Sequence, residues 1–165
     1  MLQPVVRRTW APRGVTPIHR SWDRHDRLSV ISAITISPRR RGLGLYFEIH
    51  RDNIHAEDAV KFIRRLRRRI GGKLLLVWDR LNVHRSATKV LTRKSDAIHV
   101  EWLPPYAPDL NPVEAVWRHA KYADMANFIP DDLVHLEAEI IVSLLFQRQD
   151  RELLHGYFRH ADLTI

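Results

Sequence analysis

The stretch that most constrains the fold is a stiff proline-rich turn that leads directly into a strong helix start, Trp102-Leu-Pro-Pro-Tyr-Ala-Pro-Asp-Leu-Asn-Pro-Val-Glu-Ala-Val-Trp117. Each proline fixes its own φ and pushes the residue before it into an extended conformation, so the turn is predicted to be a rigid elbow. Asn111 suits the N-cap, Pro112 the first helical position and Glu114 the third, which predicts a capping box. Taken alone, this arrangement gives Glu114 a structural role, in which its carboxylate bonds back to the Asn111 amide.

A second carboxylate follows a short, continuous apolar run. Leu74 to Trp78 comes directly after Gly-Gly-Lys and ends abruptly in Asp79. An apolar run of this length predicts a buried strand with Asp79 at its exit. The sequence therefore predicts two carboxylates at ordered positions, one at a strand exit and one in the first turn of a packed helix.

Both carboxylates lie in patterns that resemble a known family. Val77-Trp-Asp79-x-x-x-x-His84 and Leu103-Pro-Pro-Tyr-Ala-Pro-Asp-Leu-Asn-Pro-Val-Glu114-x-x-Trp117 are similar to the catalytic domain of mariner-like insertion-sequence transposases of the DDE superfamily. The segment Leu2-x-Pro4-x-x-Arg7-x-x-Trp10-Ala-Pro-x-Gly14 resembles the same family, so the resemblance covers nearly the whole chain. Its specific part is the long Pro-Asp-Leu-Asn-Pro-x-Glu string, whereas the Asp-to-His spacing alone is a weak signal.

The resemblance implies an α/β, ribonuclease-H-like fold, with a mixed sheet flanked by helices, and a metal-dependent endonuclease that cleaves and transfers DNA strands. Two aspartates and a third carboxylate form the family's triad; by this match Asp79 corresponds to the second carboxylate and Glu114 to the third. The implied cofactors are two Mg²⁺ or Mn²⁺ ions, which as hard cations prefer carboxylate oxygens. The implied partner is DNA, both transposon ends and target, and a homodimer is compatible with it.

In the family the first aspartate lies upstream of the segment that begins here at Leu2, so no residue of this chain matches it. We therefore expect residues 1–165 to be one catalytic domain whose first strand is partly or wholly missing, without the family's N-terminal DNA-binding region, and weakly active or inactive. Asp23 and Asp26 are typical of solvated turn residues and Asp109 of a turn-stabilising one, so none is predicted to replace the missing carboxylate.

Two alternatives to a nuclease stay open. One is a non-catalytic, basic DNA-binding remnant that associates with intact transposase. The other is a chain that aggregates through a sheet edge left open by the missing strand.

The charge of the chain favours a polyanionic partner. Its 165 residues include 27 Lys and Arg against 19 Asp and Glu, a formal net charge of +8. A basic surface can neutralise the phosphates of a nucleic acid. A cluster of like charges in a sequence is nevertheless usually a solvent-exposed face without a partner. Trp10, among Arg7, Arg8 and Arg13, either packs or stacks at a nucleic-acid surface or plugs the edge of the core, and the two interpretations are equal. His84 either touches a phosphate or orients Asp79, and a role as a helix cap or surface residue is equally open. The positions predicted to contact nucleic acid are Arg7, Arg8, Arg13, Arg64, Arg65, Arg68, His84 and Arg85.

Apolar periodicity predicts the element order β-β-α-β-α-β-α-α. Strands are predicted at 28–37, 43–50, 74–78 and 98–102. Helices are predicted at 56–70 with Asn53 as its cap, at 86–94, from 112 and from 130, and a last one in the tail that begins at 153 and ends at 158. Ile70, Val90 and Leu145 are predicted to lie on the buried faces of their helices. The absence of cysteine excludes disulfides and thiolate metal sites, and no apolar run is long enough to cross a bilayer. These features are compatible with a cytoplasmic, nucleoid-associated protein.

Overall fold

The computed structural model describes residues 7–16, 18, 28–37, 42–93 and 96–164. Asp23, Asp26 and the turn at 38–41 lie outside these residues. The strands are β1 (Ser29–Ile36), β2 (Leu43–His50), β3 (Leu74–Trp78) and β4 (Ile98–Trp102). The helices are α1 (Ala56–Ile70), α2 (Asn82–Thr92), α3 (Pro112–His119), α4 (Leu133–Gln149) and α5 (Arg151–His160), with a short 3₁₀ turn at Pro108–Leu110 and a π-helical turn at Ala120–Asp124.

The strands pair in both directions. β1 and β2 form an antiparallel hairpin in which Ser29 pairs with His50 and Ile36 with Leu43. β3 and β4 are parallel, and their register aligns Trp78 with Trp102. A parallel pair needs a crossover, which α2 provides. The order of strands and helices confirms the predicted α/β class and is consistent with a ribonuclease-H-like fold.

The β1–β2 hairpin separates two apolar cores. Successive strand residues face opposite sides, so Val30 and Ile34 pack on the core built by α3, α4 and α5, while Ile31 and Ala33 pack on the core of α1, α2, β3 and β4. The predicted apolar alternation of the hairpin thus serves two layers of helices. It also places the strand that precedes Asp79 and the helix that carries Glu114 on different cores.

A buried polar network ties the end of α3 to the two C-terminal helices. Tyr157 donates its hydroxyl to Gln147 Oε1 at 2.7 Å, Gln147 Nε2 donates to Ser143 Oγ at 3.1 Å, and Ser143 donates to Asp124 Oδ2 at 2.6 Å. Burial, together with the nearby Asp124 carboxylate, raises the pKa of Tyr157. His119, the last residue of α3, lies 3.3 Å from Asp124 Oδ1. The C-terminal end of α3 is therefore fixed by side chains whose hydrogen bonds are made within this network.

Some sequence-based details are wrong because tertiary contacts decide them. β3 is not buried on both faces: Leu75 is 63% and Val77 51% exposed, since no described element covers that face. Ile70, Val90 and Leu145, predicted to be buried, are 40%, 49% and 39% exposed. α2 begins at Asn82 and not at residue 86, and α4 at Leu133, where Asp132 is its N-cap.

The N-terminus of α1 is also capped differently from the prediction. The cap is His55, two residues after the predicted Asn53, and its backbone amide donates to Asp58 Oδ2 at 3.0 Å. This hydrogen bond holds the pKa of the Asp58 carboxyl below its usual value. The bond favours the charged carboxylate, so it contributes to stability only while Asp58 is ionised.

We expect Asp58→Ala to lower the free energy of unfolding by about 1 kcal/mol at neutral pH. Since the folded-state pKa of Asp58 is lowered, its contribution is present above the unfolded pKa of about 4 and is lost as the pH falls through the folded value. Urea unfolding of both proteins at about pH 7 and about pH 3 measures the difference. Glu57→Ala, an exposed acid in the same helical turn, is the control, and an equal loss in both variants would contradict the assignment.

Candidate active site

Asp79 is fixed at the exit of β3 by two contacts to one of its oxygens. Its Oδ1 accepts a hydrogen bond from the backbone amide of Leu81 at 3.0 Å and lies 2.6 Å from Nδ1 of His84. Because a carboxylate only accepts, His84 Nδ1 carries the proton and donates. Among the described residues Oδ2 of Asp79 has no partner, so one oxygen orients the side chain and the other remains open to a ligand.

His84 owes its position to the early start of α2 and to an aromatic neighbour. It lies in the first turn of α2 and stacks on Trp78, with ring centroids 4.4 Å apart and an interplanar angle of 10°. Trp78 is 7% exposed and itself stacks on Trp102 of β4, at 6.4 Å between centroids. The sequence predicted neither stack. The stack of Trp78 on Trp102 follows from the strand register, which aligns the two residues at the ends of two parallel strands. That register is not evident from the sequence alone.

The proline-rich elbow is bonded to the strand that carries Asp79. The Leu103 amide donates to the Trp78 carbonyl at 3.0 Å, and Arg80 Nε donates to the Leu103 carbonyl at 3.3 Å. Tyr106, in the elbow, has a φ of 58° and is fully exposed. A positive φ costs a non-glycine residue energy, and Pro105 and Pro108 restrict the backbone on either side of it.

Glu114 stands in the first turn of α3 as predicted, but without the predicted capping box. Asn111 caps the helix by accepting from the Val113 amide at 3.2 Å, and the Glu114 amide donates to the Asn111 carbonyl at 2.9 Å. Within the described part of the chain, the Glu114 carboxylate has neither a hydrogen bond nor an ion pair. The purely structural interpretation of Glu114 therefore loses the contact on which it rested.

Asp109 behaves differently from Glu114. Its Oδ1 lies 3.5 Å from Nη2 of Arg118, and its side chain is 80% exposed. The local backbone bond predicted for Asp109 does not appear among the described contacts. An exposed ion pair of this kind holds the side chain only weakly, so Asp109 is a poor candidate for a fixed ligand.

A family model for DDE superfamily endonucleases matches residues 1–133, which include both carboxylates and the elbow. The chain belongs to this superfamily. Comparisons with curated proteins and with solved structures give no match. The matched region ends where α4 begins, so α4 and α5 of this DDE endonuclease lie beyond it.

Endonucleases of the DDE superfamily typically use divalent metals, and the donors present suit a hard cation. The free Oδ2 of Asp79 and the unpaired carboxylate of Glu114 are anionic oxygens, the ligands that such cations prefer. Among the described residues no three His, Asp or Glu side chains are close enough together to hold a metal ion, and no bond joins Asp79 to Glu114. The chemistry of these two carboxylates therefore fits a divalent metal ion, while the described residues supply only part of its ligand set.

The predicted nucleic-acid contacts of this DDE endonuclease fall into two groups. Arg8, Arg13, Arg64, Arg68 and Arg85 are exposed. The other three have partners within the protein: Arg7 donates to the Tyr122 carbonyl at 2.9 Å, Arg65 pairs with Glu48, and His84 bonds Asp79.

Trp10 lies beside this basic N-terminal segment and is fully exposed, so its predicted alternative as a core plug is wrong. Its indole is therefore on the surface next to Arg8 and Arg13.

None of the described helices is both long and apolar enough to cross a membrane.

Proposed function

We propose that this protein is the strand-cleaving and strand-transferring domain of a mariner-like insertion-sequence transposase, in which Asp79 and Glu114 bind the catalytic metal. The observation that carries the proposal is the state of Asp79. One oxygen is held by the Leu81 amide and His84, and the other has no partner among the described residues. A carboxylate oriented in this way at a strand exit is a pre-organised metal ligand.

The chemistry at this site would be phosphodiester cleavage by in-line attack at phosphorus. Two Mg²⁺ or Mn²⁺ ions, when bound, activate the attacking oxygen and stabilise the leaving one. The protein's own residues provide the rest. Asp79 and Glu114 hold their carboxylates on a strand end and a helix start, His84 fixes the orientation of Asp79, and the elbow that joins the two elements is bonded to the end of β3 through Leu103.

The proposed substrate is DNA, as transposon ends and as target. Arg8, Arg13, Arg64, Arg68 and Arg85 are exposed and available for phosphate contacts, which supports the predicted basic surface. Arg7, Arg65 and His84 stay predictions as DNA contacts, since each already has an internal partner. A DNA substrate would also place the protein at the nucleoid.

We further infer that residues 1–165 form one catalytic domain. Leu136, Ile140 and Leu154 of α4 and α5 share a core with Val116 of α3, which supports including the residues after 133. Homodimer formation stays a prediction.

The proposal is tested by nicking of supercoiled plasmid DNA. Nicked circles are expected to accumulate only slowly with Mg²⁺ or Mn²⁺, in line with the weak activity expected of this chain, and to be absent when EDTA removes the metal, because the carboxylates alone cannot activate the attacking oxygen. Agarose gels over time give the rate. Nicking that proceeds equally in EDTA would overturn the metal mechanism. DNA binding without nicking under either metal would favour the alternative of a non-catalytic DNA-binding protein.

A further inference from the structure

An open groove of about 630 Å³ lies between β2, the C-terminal half of α1 and the end of α4. The end of α4 here meets β2 and α1, two elements that are neighbours in sequence but far from α4. The polar and aromatic residues that line it include Tyr46 and Glu48 of β2, Arg65, Arg68 and Arg69 of α1, and Arg148 of α4.

Two guanidinium groups from different helices converge on the Tyr46 ring. The guanidinium carbon of Arg69 lies 5.6 Å and that of Arg148 lies 5.7 Å from the ring centroid. Arg65 is neutralised, because its Nε donates to Glu48 Oε1 at 2.8 Å and its second nitrogen also bonds that carboxylate. Among the described residues, Arg69 and Arg148 have no carboxylate partner. The groove therefore holds an uncompensated cluster of positive charge.

Helix stability accounts for only part of this cluster. The C-terminus of a helix favours cations, which explains the basic last turn of α1 at Arg67, Arg68 and Arg69. The same preference applies to Arg148 in the last turn of α4. It does not explain why the ends of two helices bring Arg69 and Arg148 to the same ring. A cation over an aromatic face gains from the ring quadrupole, but a second cation there adds repulsion. A bound polyanion would remove that repulsion.

We propose that Arg69 and Arg148 over the Tyr46 ring, with Arg68 on the same groove, form a second contact surface for the DNA phosphodiester backbone, separate from the Asp79 and Glu114 carboxylates. The proposal rests on the proposed function in taking DNA as the polyanion. Tyr46 already contacts two guanidiniums, so its ring is not offered to a base for stacking. The groove therefore binds phosphates without regard to base sequence.

The test is fluorescence anisotropy with a labelled DNA duplex in EDTA, so that neither metal binding nor cleavage affects the readout. Arg69→Gln/Arg148→Gln is expected to weaken binding about 10-fold at moderate salt. It is also expected to lower the slope of log affinity against log salt by about 2, since each phosphate contact contributes about 0.9. Arg51→Gln/Arg159→Gln, which removes the same net charge outside the groove, is the control and is expected to leave the slope unchanged.

A gain-of-affinity variant covers the case in which the double variant fails to fold. Glu48→Gln releases Arg65 into the groove and is expected to tighten binding several-fold with a steeper salt slope. A groove variant that matches the control variant in affinity and slope would overturn the proposal, as would a Glu48→Gln protein with unchanged affinity. The groove is measured by binding in EDTA and the metal site by nicking with metal, so that failure of the groove and failure of the proposed nuclease function give different results.

Discussion

Asp79→Asn is expected to reduce metal-dependent nicking by at least about 100-fold, the order seen when one electrostatic contact that stabilises a transition state is removed. Asparagine preserves the size of the side chain, and its carbonyl oxygen can still accept from the Leu81 amide and from His84. What it removes is the negative charge on the free oxygen, which a hard cation requires. Glu114→Gln should give a loss of the same order. Mn²⁺ binding, followed by the loss of the free-ion signal in electron paramagnetic resonance, provides a readout that needs no turnover.

The control for both substitutions is Asp109→Asn, because Asp109 is a carboxylate on the same elbow but is exposed and paired with Arg118. It should change nicking and Mn²⁺ affinity by less than about 2-fold. His84→Ala should fall between the two, with Mn²⁺ affinity reduced about 10-fold, as expected when the partner that orients a metal ligand is lost. Near-normal nicking and Mn²⁺ binding by Asp79→Asn, or an equal loss in Asp109→Asn, would contradict the assignment of Asp79 as a metal ligand.

Features that depend on local chemistry were predictable from the sequence. The N-cap of α3, its first-turn proline and the placement of Glu114 follow from rules that act within four residues, and the structure confirms them. The hairpin of β1 and β2 and the boundaries of β3 and β4 follow from apolar patterning that a single strand carries in itself. The placement of Asp79 at a strand exit and of Glu114 in a first helical turn was predictable for the same reason, whereas their proposed role as metal ligands came from the family resemblance.

Features that depend on distant contacts were not predictable in this way. The exposed face of β3 reflects which elements cover it, which the strand's own sequence does not contain. Arg148 was absent from the predicted DNA contacts because nothing near it in sequence suggests Tyr46 as a neighbour. The Asp79-to-His84 spacing suggested proximity, but the contact of His84 Nδ1 with Asp79 Oδ1 and the stack of His84 on Trp78 depend on the three-dimensional arrangement.

Trp78 joins the fold to the site, and its replacement by alanine is expected to damage both. The side chain is 7% exposed in the core of α1, α2, β3 and β4. Removing a buried aromatic of this size costs about 3–5 kcal/mol, a large share of the 5–15 kcal/mol that stabilises a typical protein. Trp78→Ala also deletes the surface on which His84 stacks, so Asp79 loses its oriented donor. Urea unfolding and Mn²⁺ affinity should therefore both decline.

Two further variants separate these effects. Trp78→Phe keeps a ring beneath His84 and removes an indole nitrogen that is buried without a hydrogen-bond partner, so it should cost less than about 1.5 kcal/mol and retain Mn²⁺ affinity. Leu91→Ala creates a cavity in the same core without touching His84, and should lose about 2–5 kcal/mol with unchanged Mn²⁺ affinity in the folded protein. If Leu91→Ala lowers Mn²⁺ affinity as much as Trp78→Ala does, the effect belongs to the core as a whole. A loss confined to Trp78→Ala means that the aromatic stack positions Asp79, because only that variant removes the ring and leaves the carboxylate in place.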